Sequence, residues 1–289
     1  MDGVEASMVG NPGPRLIIRG RPFFKMSGSG NDFVFFDVSS EGPGNLESAE
    51  AIQRICARGT GIGADGVVFL KPDSRRELTI RYYNSDGSLG ELCGNATLCS
   101  LQLANELGMA DTGEIEINTD AGVIHARMAD GLPEIDLAPV HEVALSVAAI
   151  PQLDREESMG FARAGVPHIV IVDQDVETAD ILGRGSEIRR HRSLKDGANV
   201  NFVTKSEDGW TIRTYERGVE GETLACGTGA VATGILLTEW GRAEAPVRLQ
   251  TRSGRTLEVR VRRDGNLWYP SLRGHAEVVF EGRLAANLS

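Results

Sequence analysis

The chain has 289 residues, with 41 acidic against 30 basic side chains and a formal net charge of −11. That length fits two domains, each able to bury a core without disulfides. The acidic balance argues against nucleic acid or an anionic membrane as a partner, and no run of about 18 apolar residues provides a membrane span.

Residues 1–20 are rich in Gly and Pro and lack the apolar stretch of a secretory signal, so a loose tail on a cytoplasmic protein is expected. Residues 21–139 form a first domain. In it Phe33–Val38, Gly66–Leu70 and Leu78–Asn84 are short β-branched and aromatic runs bounded by turn formers, which predicts strands. Ala49–Arg58 has Ile52 and Ile55 on one helical face. Ala96–Leu107 predicts a second helix, opened by Cys93-Gly94-Asn95 and stopped by Gly108. Glu114–Met128 predicts a hairpin turning near Asp120-Ala121-Gly122. Residues 140–274 form a second domain, with strands at Pro167–Asp173, Ala198–Lys205 and Trp210–Glu216. A helix over Gly229–Trp240 follows, then further strands over Val247–Tyr269. Residues 275–289 are expected to return to the first domain. Strands outnumber helices and most links are short. This favours an α+β fold, with antiparallel or mixed sheets, over a doubly wound one.

The chain repeats itself. Thr79–Asn84 (TIRYYN) returns as Thr211–Glu216 (TIRTYE), and Cys93-Gly94-Asn95-Ala96 as Cys226-Gly227-Thr228-Gly229. Gly63–Val67 returns near Gly197–Asn201, and Gly30–Val34 near Gly165–Ile169. The order is kept and the offsets drift only from 132 to 135 positions. Two homologous halves related by a pseudo-two-fold axis follow, since this period is too long for a solenoid.

In each half a strand leads into a Gly-rich acidic loop, then Cys-Gly, then a helix. A helix start has free N–H groups and partial positive charge, which lowers a thiol pKa and receives a carboxylate. Two equivalent thiols on opposite walls of a cleft can deprotonate an α-carbon from one face and reprotonate it from the other. Cys56 and Cys99 have no repeat partner and read as small core residues. No dinucleotide, P-loop or pyridoxal signature and no zinc-type Cys/His spacing is present, so neither cofactor nor metal is expected.

These residues resemble the diaminopimelate epimerase family. The shared segments are KMSGSGNDF from Lys25, GIGADG from Gly61, YYNSDGS from Tyr82 with Cys93-Gly94-Asn95, Gly165-Val166-Pro167-His168, GANVNF from Gly197, and YERGVEGETLACGTG from Tyr215. The resemblance implies a pyridoxal-independent isomerase of lysine and peptidoglycan precursor synthesis, often a cytoplasmic homodimer. It also implies two similar domains, each a sheet wrapped around a central helix, with the active site between them. Cys93 and Cys226 become the acid/base pair, assisted by His168 and Glu216. Asn31, Asn84, Asn199, Glu216 and Arg217 become substrate-binding groups, with Gly94, Asn95, Gly227 and Thr228 receiving the reacting carboxylate. Arg217 offers a fork suited to a distal carboxylate. Asp65 and Asp86 read as turn formers.

The chain departs from the family pattern in places. Val166 stands where Asn is usual. Ala96 replaces Gly, which predicts a more restricted backbone, and Leu98 replaces a cation. No Gln lies near Gly66. These departures leave open a racemase of another amino acid, such as histidine or proline. A dithiol redox protein using Cys93 and Cys226 lacks the CxxC expected of it. A non-catalytic amino-acid-binding module has no need of two matched thiols.

Overall fold

Strand β2 carries the layering of the molecule in its own sequence. In the computed structural model, which describes residues 20–90 and 92–285, Phe33 and Phe35 of β2 point to one core and Val34 and Phe36 to another. A strand with alternate side chains buried on both faces must be covered on both, and helices supply the covers. The first half runs β1 (Pro22–Gly28), β2 (Asn31–Asp37), α1 (Ala49–Cys56), β3 (Gly66–Ser74), β4 (Glu77–Asn84), β5 (Leu89–Gly90), α2 (Gly94–Glu106), β6 (Ile115–Thr119), β7 (Gly122–Ala129) and β8 (Leu132–Asp136). The second runs β9 (Val143–Ala144), β10 (Glu156–Ala164), β11 (Val166–Asp173), α3 (Ile181–Arg189), β12 (Asn199–Ser206), β13 (Gly209–Glu216), β14 (Gly221–Thr223), α4 (Gly227–Glu239), β15 (Val247–Gln250), β16 (Thr256–Asp264) and β17 (Leu267–Gly274). Strand β18 (Ala276–Arg283) closes the chain's described part.

The two halves pair their strands identically. β1 and β2 are antiparallel, β2 and β3 parallel through the α1 crossover, β3 and β4 antiparallel, and β4 and β6 parallel. β10 and β11, β11 and β12, β12 and β13, and β13 and β15 repeat that order, with α3 as the crossover. The meander β6–β7–β8 repeats as β15–β16–β17. The opening strand of each sheet pattern gains one further partner: β9, which follows β8, pairs with β10, and β18, which follows β17, pairs with β1. The fold is α+β with mixed, mostly antiparallel sheets.

Helices α2 and α4 are the central ones. Leu98, Leu101 and Leu103 of α2 and Ala230, Ile235 and Leu236 of α4 lie in a single core with Phe33, Phe35, Val170 and Val172. α1 and α3 cover the outer faces, with Ile52 and Ile55 against Val34 and Phe36, and Ile181 and Ile188 against Ile169 and Ile171. The halves join where β8 and β17 pair antiparallel, Glu134 opposite Arg273. Glu134 is buried there and accepts from the Ser271 hydroxyl at 2.6 Å.

Both central helices start two residues earlier than the sequence predicts, at Gly94 and Gly227. Ala96 lies within regular helix, where Ala is the better helix former, so the expected backbone restriction does not arise. Helix α3 is not visible as a sequence pattern because Gly183 and Gly185 lower its propensity. Asp180 caps it by accepting from Gly183 N at 2.8 Å. Gly185 is needed for packing: a Cβ there would lie 2.6 Å from Tyr215 Cβ. Residues 1–19 of the expected tail and 286–289 lie outside the described residues.

Candidate active site

Cys93 and Cys226 occupy the same local geometry twice. Each is the extended residue just before a central helix, at φ −129°, ψ 111° and φ −138°, ψ 109°. Neither helix start is capped by a side chain, so the first-turn N–H groups are free for other acceptors. The N–H groups of Asn95 and Ala96 point at the Cys93 sulfur, and that of Gly229 at the Cys226 sulfur. The Thr228 hydroxyl lies 3.5 Å from Cys226 Sγ. The two helix starts face one cleft of about 260 Å³.

That cleft gathers Asn31, Asn84, Cys93, Gly94, Asn95, Glu216, Cys226, Gly227 and Thr228 on its walls. Its other lining residues are Phe33, Asp65, Tyr82, Leu92 and Ala225, none of which the sequence singled out as part of a site. Asp65 sits in a Gly-rich turn and shows only turn character in the sequence. Tyr82 shows only strand alternation, and its hydroxyl donates to Asn84 Oδ1 at 2.8 Å. Tyr82 also fills the space beside Gly66, where a Cβ would come within 2.5 Å of its ring. Asp86 lies outside the cleft lining and accepts from Ser88 N at 2.9 Å, a turn contact.

His168, Asn199 and Arg217 do not line this cleft but cluster beside it. Asn199 Oδ1 accepts from Arg217 N at 2.8 Å, and the Arg217 guanidinium donates to Asp196 O at 2.9 Å. His168 is fully buried, and its Nδ1 lies 3.2 Å from Asn201 Nδ2. Asn201 Oδ1 is taken by the Thr214 hydroxyl, so its amide nitrogen donates to the ring. The proton of a neutral His168 is therefore on Nε2, which has no partner among the described residues. Burial, with the Arg217 charge adding to it, pushes His168 down to about 3. Val166 opens β11 at the position equivalent to Asn31 in β2 and offers no side-chain hydrogen bond.

The thiols are weaker acids than their helix starts predict. Burial pushes Cys93 up to about 11, with the nearby Glu216 carboxylate adding to it against the pull of two N–H groups. Burial and then Glu216 push Cys226 up to about 12. The desolvation of the charged form outweighs the helix termini. Glu216 is itself raised, by burial. Among the described residues no three His, Cys, Asp or Glu side chains are grouped to hold a metal ion, and no helix is long and apolar enough to cross a membrane.

The diaminopimelate epimerase family matches residues 23–136 and 160–279, one segment in each half. The chain is 45% identical over 274 residues to the diaminopimelate epimerase of Gemmatimonas aurantiaca, covering 91% of this chain and 99% of that protein. It is 39% identical over 286 residues to that of Aquifex aeolicus, covering 92% and 98%. Solved structures share the fold at low identity. A PhzF-family phenazine biosynthesis protein of Bacillus anthracis has a TM-score of 0.70 at 13% identity, covering 92% of this chain and 99% of that one. A hydroxyproline epimerase of Agrobacterium vitis has a TM-score of 0.62 at 16% identity, covering 93% of each.

Proposed function

The chain belongs to the diaminopimelate epimerase family, and from that premise we propose that it interconverts LL- and meso-diaminopimelate in lysine biosynthesis, using two cysteines. It is an isomerase. The observation that carries the mechanism is the pair of Cys-Gly helix starts facing one cleft. The substrate carboxylate sits at the first-turn N–H groups of Gly94, Asn95, Gly227 and Thr228, where charge growing on the carboxylate side is stabilised as the α-proton leaves. One cysteine, as thiolate, removes that proton. The other, as thiol, delivers its own to the opposite face. The enzyme then holds the reverse pair and is ready for the reverse reaction.

Glu216 and His168 assist the thiols. Glu216 holds both thiol pKa values up while it is charged. Passing a thiol proton to Glu216 forms the thiolate and removes that opposing charge in one step. Burial, which raises Glu216, makes it a better acceptor for that proton. His168, neutral with its proton on Nε2, supplies a hydrogen-bond donor beside the second half's machinery. Asn31, Asn84, Asn199 and Arg217 bind the substrate, Arg217 at the distal carboxylate. No cofactor takes part in this scheme. The enzyme works in the cytoplasm as a homodimer. Support for the dimer comes from β18, which among the described residues pairs only with β1 and exposes Val279 and Phe280; an unpaired apolar edge is a ready interface.

The test is turnover of LL- and meso-diaminopimelate beside single amino acids, with isomer composition monitored by chiral chromatography. Equilibration of the two diaminopimelate isomers is expected. Val166 favours a second reading, a racemase of another amino acid, and turnover of proline or histidine with inert diaminopimelate would establish it instead.

A further inference from the structure

Asn95 poses a problem that the carboxylate site leaves unsolved. Asn95 is 3% exposed, and its Oδ1 has no hydrogen-bond partner among the described residues. An orphaned buried acceptor is costly and calls for an explanation. The atom is held in place by a short chain of contacts. Asn95 Nδ2 donates to Asn31 Oδ1 at 2.7 Å, and Asn31 Nδ2 donates to Asp65 Oδ2 at 2.9 Å. Asp32 N donates to the same Asp65 oxygen at 3.2 Å, and Arg58 pairs with the other at 2.7 Å.

This chain has one direction only. A carboxylate paired with arginine can only accept, so Asn31 must turn its nitrogen toward Asp65. Its oxygen is then given to Asn95, which must answer with nitrogen. The second amide has no freedom left, and its oxygen is the atom presented between the two helix starts. A Cβ built on Gly227 would stand 3.9 Å from it. All three residues line the cleft. Around its α-carbon an amino acid carries a carboxylate, which only accepts, and an ammonium, which only donates. Asn95 Oδ1 would repel the first and suits the second.

We infer that Asp65 is a positioning residue: through Asn31 it orients Asn95 so that Asn95 Oδ1 accepts from the ammonium group on the reacting carbon. This rests on the amino-acid epimerase reading of the cleft. Carboxylate and ammonium together hold the α-carbon at two points, which sets its hydrogen toward one cysteine wall rather than along the cleft.

The experiment compares calorimetric dissociation constants of the full chain for equilibrated diaminopimelate and for (S)-2-aminopimelate, whose single amino group takes the far end. The wild type is expected to prefer diaminopimelate by about tenfold or more. Asp65→Ala frees both amides, and the preference falls to within about threefold. Asp65→Asn keeps an acceptor for Asn31 and restores most of it, which a charge effect would not do. A wild-type preference in folded Asp65→Ala, or equal loss in Asp65→Ala and Asp65→Asn, overturns the inference. Asn31→Ser cuts the same chain with the Asp65 ion pair intact, and serves if Asp65→Ala does not fold. Side-chain amide exchange by NMR reads the relay without substrate. Asn95 Nδ2 protons exchange slowly in the wild type and fast in Asp65→Ala; unchanged protection also overturns it. Failure of the wild type to epimerise diaminopimelate would fall on the functional reading, while the amide exchange would still decide the relay.

Discussion

Cys93 and Cys226 are protonated at neutral pH, because burial opposes the thiolate more than the helix starts favour it. Iodoacetamide is therefore expected to modify either residue at pH 7 at least about tenfold more slowly than a free cysteine, since only thiolate reacts. Peptide mapping by mass spectrometry measures this, and fast labelling at pH 7 would contradict it. The same shift bears on stability. An unfolded Cys titrates near about 8.5, whereas Cys93 stays protonated to about 11 and Cys226 to about 12. Between those values the folded chain binds more protons than the unfolded one, so stability falls as pH rises. The contribution is whole below the unfolded value and lost as pH climbs through the folded ones. Urea midpoints of the Cys93→Ala/Cys226→Ala double variant should decline less steeply above pH 9 than the wild type's. Arg217→Lys keeps the charge and loses the fork. A distal contact contributes mostly uniform binding, so KM for diaminopimelate is expected to rise about tenfold or more while kcat stays within about threefold. An unchanged KM would remove Arg217 from substrate binding.

The first turns of α2 and α4 are equivalent elements under different constraints. Ala96 is buried in regular helix, so Ala96→Gly costs about 0.5–1 kcal/mol from backbone entropy alone. Gly229, its counterpart, has no room. A Cβ there would lie 2.3 Å from Asn201 Oδ1, and Asn201 is tied to His168, Ile169 O and Thr214. Gly229→Ala is expected to displace that amide at a cost of about 1–3 kcal/mol and to lower kcat, because His168 loses its orienting partner. Denaturation curves and turnover of the two variants side by side test the contrast; equal effects would refute it. At the edge of the first half, β18 exposes Phe280 beside Val279. Phe280→Glu places a charge on that edge. Sedimentation is expected to show a dimer for the wild type and a monomer for the variant at micromolar concentration.

At the scale of the whole molecule, the proposed two-base reaction depends on the pseudo-two-fold arrangement that brings Cys93 and Cys226 to one cleft. In heavy water both thiols carry solvent deuterium before substrate binds. Early product is then expected to contain deuterium at the α-carbon and recovered substrate little, because proton removal and delivery use different groups on different faces. Cys93→Ser is expected to abolish inversion in both directions, a hydroxyl being too weak an acid and base at pH 7. Mass spectrometry of early product decides it, and mostly protiated product would sink the two-base mechanism. The two halves of the fold are legible in the sequence. The repeat of TIRYYN and Cys-Gly at a nearly constant offset carried the two halves, because duplicated structure needs the same turn glycines and apolar alternation in both copies. Helix α3 was not legible, since Gly185 answers to Tyr215 packing and Gly183 to the Asp180 cap rather than to local helix preference. The acidity of the thiols was misread for a related reason: helix starts are local and readable, but desolvation depends on what the rest of the chain lays over the sulfur. Asp65 looked like a turn residue because Asn31, the partner it orients, meets it only when β2 and β3 lie side by side. Sequence alone determined which groups the protein owns and that it owns them twice. Tertiary structure decided which of them share a cleft, how their charges act on one another and which way each amide must face, because burial and hydrogen-bond direction are properties of neighbours that the chain brings together only on folding.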